Sequence, residues 1–91
     1  MDNNSVLQVK ARDRERLAFE GPAVSVSSIN DRGVFDILPN HANFISLVRN
    51  YLKIKKPDGK ITELKLAGPT VLRVYKNQVS VYLGLGSTET I

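Results

Sequence analysis

The chain has no cysteine, a single histidine and no long apolar run. Without cysteine there is no disulfide framework, no thiolate metal site and no cysteine nucleophile, and nothing marks the redox compartment. One histidine builds a zinc site only if carboxylates supply the remaining ligands, and no nearby acids are spaced for that. No stretch approaches the roughly 18 consecutive apolar residues of a membrane-spanning helix. The opening Met1-Asp2-Asn3-Asn4-Ser5 is polar, without the basic region and apolar run of a signal peptide, and reads as a loose tail. Membrane association is therefore expected only through partners.

Ninety-one residues make one domain with a modest core. Hydrophobic residues at 42% and charged residues at 24% are ordinary for a globular chain and argue against disorder. Thirteen Lys and Arg against nine Asp and Glu leave a net charge of +4, compatible with an acidic partner or nucleic acid and decisive for neither.

What is present is a succession of short alternating runs. Leu7 and Val9 face opposite to Gln8 and Lys10, the period-two signal of a strand with one wet side. The charged run from Ala11 to Arg16 reads as a connection, and Leu17 to Glu20 resumes a strand that Gly21-Pro22 is expected to break. Ala23 to Ile29 is β-branched and alternating. Asn30-Asp31-Arg32-Gly33 is a turn by residue chemistry, because Asn, Asp and Gly tolerate positive φ. Val34 to Leu38 is a short strand closed by Pro39-Asn40, and Phe44 to Val48 is an apolar piece that could be strand or a helical turn. Tyr51 to Lys56, a Pro57-Asp58-Gly59 turn and Ile61 to Ala67 form a hairpin. Gly68-Pro69 reads as a corner, Thr70 to Tyr75 as a strand, Lys76-Asn77 as a tight turn and Gln78 to Leu83 as the last strand. The pattern predicts an all-β fold, an antiparallel β-sandwich or flattened barrel of about nine strands spanning residues 6–83, with tails at 1–5 and 84–91.

The chemistry of catalysis is thin. There is no Gly-x-Ser-x-Gly elbow to partner His41, and Gly84-Leu85-Gly86 and Gly59-Lys60 lack the glycine-rich loop and helix that a phosphate site needs. Lys53, Lys55, Lys56, Lys60 and Lys65 concentrate on one hairpin. That suits either a solvated edge protected from aggregation or, as the alternative function, a small basic β-barrel for single-stranded nucleic acid. Only Tyr51 stands near them as a stacking ring.

One segment is particular: Gly33-Val34-Phe35-Asp36-Ile37-Leu38-Pro39-Asn40-His41-Ala42-Asn43-Phe44. It resembles the G-x-(F/L)-x-I-L-P-x-H-A-x-(F/L) signature of the epsilon subunit of F-type ATP synthases (the delta subunit in mitochondria). Leu7-Gln8-Val9 with Phe19-Glu20-Gly21, Leu64-Lys65-Leu66-Ala67-Gly68 and Asn77 to Leu83 are similar to flanking pieces of the same family, in the same order. The resemblance implies the family's N-terminal domain, a sandwich of about ten strands without an active site or cofactor. It further implies a rotor subunit that packs on the gamma subunit and the c-ring and couples proton-driven rotation to ATP synthesis at the cytoplasmic face of the membrane. By position, Asn30, Asp31, Arg32, Gly33 and Val34 would contact the c-ring, and Ala11 and His41 the gamma subunit. The chain departs from the family where Val34 replaces a common acidic residue, Arg32 adds positive charge, Pro69 replaces a second glycine and Asn43 a proline. The family's C-terminal helical hairpin, which can bind ATP or inhibit hydrolysis, is expected to be missing after Leu83.

Overall fold

The computed structural model describes residues 6–83. The two expected tails, the Gly84-Leu85-Gly86 fragment and the question of a C-terminal hairpin lie outside the described residues. Within them the protein is all-β, with seven strands: β1 (Leu7–Arg12), β2 (Leu17–Ala23), β3 (Ser25–Asn30), β4 (Gly33–Ile37), β5 (Phe44–Lys55), β6 (Ile61–Tyr75) and β7 (Gln78–Tyr82). They form one continuous sheet in the order β2-β1-β7-β6-β5-β3-β4.

Two features correct the sequence reading. The strands number seven instead of nine or ten, and the sheet is mixed, because β1 runs parallel to β7 while the other neighbours are antiparallel. The lower count comes from two long strands that absorb the expected corners. Val48 pairs with Thr70 and Asn50 with Leu66, so Ala67, Gly68 and Pro69 bulge opposite Arg49 alone. Asn50 takes φ 76°, a left-handed value that asparagine accepts more readily than most residues. The bulge lets both strands bend without ending, and it places Pro69 where no ladder hydrogen bond is demanded of its missing N–H. Gly21-Pro22 is likewise inside β2, which as an edge strand tolerates proline. Phe44 to Val48 is strand, with no helical turn.

The alternation survives each bend. Leu7, Val9 and Ala11 of β1, Val79 and Val81 of β7, Leu72 and Val74 of β6, and Val48, Leu52 and Ile54 of β5 are all essentially sealed from solvent. Val26 and Ile37 join them in one core cluster, with Phe19, Phe35, Phe44, Leu64 and Leu83 packed at its margin. Each buried valine, leucine or isoleucine contributes about 1.5–3 kcal/mol. Among the described residues no helix covers this face. Ser28 and Thr70 are the polar exceptions. The Thr70 hydroxyl donates to the Gly68 carbonyl at 3.1 Å within the bulge. The Ser28 hydroxyl is fully buried and donates to the Tyr51 carbonyl at 2.7 Å, beside the bulge.

Candidate interaction surfaces

The turn expected to carry a contact is a two-residue loop, Asp31-Arg32, closed by the pairing of Asn30 with Gly33. The Asn30 side chain organises it from both sides: its Oδ1 accepts from the Arg32 amide at 2.9 Å, and its Nδ2 donates to Ser46 Oγ at 3.1 Å. Gly33 has φ +118°, which a side chain strains to adopt. Asp31 forms an exposed ion pair with Arg49 at 3.1 Å, while Arg32 and Val34 project into solvent. Exposed ion pairs are worth little. This one helps orient the tip more than it stabilises the fold. Five residues named from the sequence therefore sit together on a braced tip, and a shallow groove continues from Asn30, Asp31 and Arg32 to Ile45, Ser46 and Leu47.

The other two named residues are placed differently. His41 is exposed at the corner between β4 and β5, its ring 5.1 Å from that of Phe44 and its Nδ1 2.8 Å from the Ala42 carbonyl. Asn40 and Asn43 tie this corner to the β6–β7 turn: Asn77 Oδ1 accepts from the Asn40 amide at 2.6 Å, and Asn43 Oδ1 from the Lys76 amide at 2.9 Å. Lys76 and Asn77 both have positive φ. Ala11, in contrast, is fully buried between Phe19 and Val81. Its side chain offers a partner no surface, and any contact made by that end of β1 falls to its exposed neighbours Lys10 and Arg12.

The lysine hairpin lies on the solvent face, where Lys53 opposes Glu63 and Lys65 opposes Tyr51. Lys53 Nζ stands 5.5 Å from the Tyr51 ring centroid, so the one ring near the lysines is already engaged by a cation. Among the described residues, no group of three or more His, Cys, Asp or Glu could hold a metal ion.

A further surface escaped the sequence reading, because only the register reveals it. Across the outer face, Leu17 opposes Arg12, Arg12 opposes Tyr82, Tyr82 opposes Val71 and Val71 opposes Leu47. The next row runs Glu20, Lys10, Ser80, Arg73 and Ile45. Leu47 at 62% and Tyr82 at 53% exposure in the first row, with Ile45 at 68% beside them in the second, form a contiguous exposed apolar patch. In the sequence these residues lie on five strands with no local pattern to join them.

The comparisons with known proteins bear on this geometry. No family model matches the chain. A curated relative, the ATP synthase epsilon chain of a Nitratiruptor species, is 40% identical over 47 residues, which is 50% of this chain and 36% of that one. A chain in the cryo-EM structure of Euglena gracilis mitochondrial ATP synthase (OSCP/F1/c-ring, rotational state 1) superposes with a TM-score of 0.79 at 11% identity. That match covers 87% of this chain and 51% of the other. The chain resembles the N-terminal domain of an ATP synthase epsilon subunit. The epsilon likeness in sequence rests on half of the chain, and the structural likeness, at 11% identity, speaks for the fold alone. The chain spans about a third of the epsilon relative's length and half of the structural neighbour's.

Proposed function

We propose that this epsilon-like domain is a non-catalytic rotor element of an F-type ATP synthase, joining rotation of the c-ring to the gamma subunit. The observation that carries the reading is the coincidence of two independent likenesses, an epsilon chain in sequence and an ATP synthase chain in fold. On this reading the Asn30–Val34 tip meets the c-ring, the His41 corner turns towards gamma, and the domain sits peripherally at the cytoplasmic face of the membrane. The architecture suits a joint that transmits torque. A single hydrogen-bonded sheet runs unbroken from β2 to β4, and asparagine side chains fasten the tip to β5 and the His41 corner to the β6–β7 turn, so neither can swing independently.

The absence of cysteine provides the test, since any cysteine introduced into the chain is unique there. Arg32→Cys and His41→Cys, assembled into the complex and treated with a short bifunctional reagent, should cross-link to the c subunit and to gamma respectively. Cross-linking of the two positions to one subunit, or to neither while the chain remains in the complex, would overturn the orientation.

A further inference from the structure

We infer that the chain pairs with a second copy of itself through the first half of β6, the two strands lying antiparallel about a two-fold axis at Leu64. Such pairing belongs to the chain outside any assembly and is independent of the rotor reading. β6 has neighbours on both sides only along its second half. Val71 to Tyr75 pair with β7, whereas Ile61 to Leu66 pair with β5 alone, and among the described residues no strand lies on their other side. The bonds at the hairpin fix which backbone groups remain. The Lys56 amide donates to the Lys60 carbonyl, while the Lys55 carbonyl, turned away from β6, accepts from the Val24 amide. Alternate residues of a strand direct their N–H and C=O to opposite sides. Thr62, Leu64 and Leu66 therefore bond to β5, and Ile61, Glu63 and Lys65 hold theirs out at the open edge.

Lysines commonly guard such an edge by repulsion. Here the charge alternates in sign, and one register turns repulsion into attraction. With Glu63 of one copy opposite Lys65 of the other, the two-fold repeats the same pair across the axis, as a self-complementary interface requires. Shifting by two residues sets Glu63 against Glu63 or Lys65 against Lys65, and like charges directly opposite are destabilising. Shifting by one turns every side chain to the wrong face. Within the chain Glu63 already stands opposite Lys53, so in the paired sheet it lies between two lysines. On the other face Leu64, half-buried at the margin of the core, meets Leu64 of the second copy and covers the apolar surface that the edge leaves open.

Sedimentation equilibrium of the full chain at low salt tests this. The mass should rise from 10.1 kDa towards twice that value between micromolar and millimolar concentration. Glu63→Lys should weaken association about tenfold, and the exchange Glu63→Lys with Lys65→Glu should restore it. All of these side chains are exposed, so the fold is spared. The register is read separately. Because the chain has no cysteine, Leu64→Cys carries one thiol, placed at the axis where the closely opposed Cα atoms of a non-hydrogen-bonded pair suit a disulfide. Mild oxidation should give a covalent dimer, whereas Thr62→Cys, set opposite Leu66, should stay monomeric. A full chain that is monomeric up to millimolar concentration overturns the inference. So does association indifferent to Glu63→Lys, or a disulfide that forms as readily at position 62. None of these results bears on entry into an ATP synthase, which tests the rotor reading on its own.

Discussion

Two glycines separate backbone strain from crowding, and the contrast tests how the Asp31-Arg32 tip is built. A Cβ built on Gly33 or on Gly68 meets no heavy atom within 4 Å, so neither Gly→Ala substitution collides with anything. Only Gly33 of the two has positive φ, at +118°. Gly33→Ala must therefore hold an unfavourable backbone conformation, at about 1–3 kcal/mol. Gly68→Ala should be neutral or stabilising by about 0.4–1 kcal/mol, because alanine restricts the unfolded chain. For a domain of this size each kcal/mol moves the melting temperature by about 4–8 °C, so Gly33→Ala should melt roughly 5–20 °C lower. With a total stability on the order of 5–14 kcal/mol, most variants should still be folded at room temperature. Thermal unfolding followed by circular dichroism reads both proteins. Equal losses at the two glycines, or no loss at Gly33, would refute the claim that φ at the tip is what demands glycine there.

Further outcomes follow from other contacts. Ser28→Ala removes the fully buried hydroxyl that satisfies the Tyr51 carbonyl and should cost about 1–3 kcal/mol in urea unfolding; an unchanged midpoint would show that the carbonyl finds another donor. Leu72→Ala, fully buried in β6, should cost about 2–5 kcal/mol and leave the fold marginal, whereas Ile61→Ala at 59% exposure should shift the midpoint little. Asp13 accepts from the amides of Glu15 at 2.7 Å and Arg16 at 2.8 Å, and these two bonds hold its carboxyl below the ordinary carboxylate value. Its folded pKa is depressed, so its contribution to the β1–β2 loop is present above the unfolded value and fades as pH falls through the lower, folded one. The amide NMR signals of Glu15 and Arg16 should therefore titrate with a midpoint below the ordinary aspartate value, and a midpoint at or above it would contradict the loop geometry. Arg32→Glu should weaken association with the rotor without altering the melting temperature, since the Arg32 side chain is exposed; equal association of variant and parent would remove the tip from the interface.

Much of the fold was legible because period-two alternation does not depend on distant partners. Leu7 and Val9, Leu52 and Ile54, and Val79 and Val81 all face the core as their spacing implies. The turns at Asp31-Arg32, Pro57-Asp58-Gly59 and Lys76-Asn77 were legible for a similar reason, since asparagine, glycine and proline state their local φ. What failed was the inference that glycine and proline end strands. Gly68-Pro69 and Gly21-Pro22 lie inside strands because a bulge and a free sheet edge remove the demand for the proline N–H, and both are properties of the neighbours. The parallel pairing of β1 with β7 was illegible as well, since it joins the two ends of the described chain. The same limit applied to the surfaces. The tip from Asn30 to Val34 is contiguous and could be named. Ala11 was placed by position along the family's strand, and only its burial among Phe19 and Val81 shows which way it faces. The row from Leu17 to Leu47 exists only once five strands are in register.

The central claim is membership of a rotary assembly, and comigration tests it most directly. The tagged chain is expressed in its source cells, the membranes are solubilised gently and the extract is run on a native gel stained for ATP hydrolysis. The account predicts that the chain travels in the large hydrolysing band together with gamma and c subunits. An intact hydrolysing band without the chain, with the chain running alone or with nucleic acid, would contradict the rotor role and leave only the sheet.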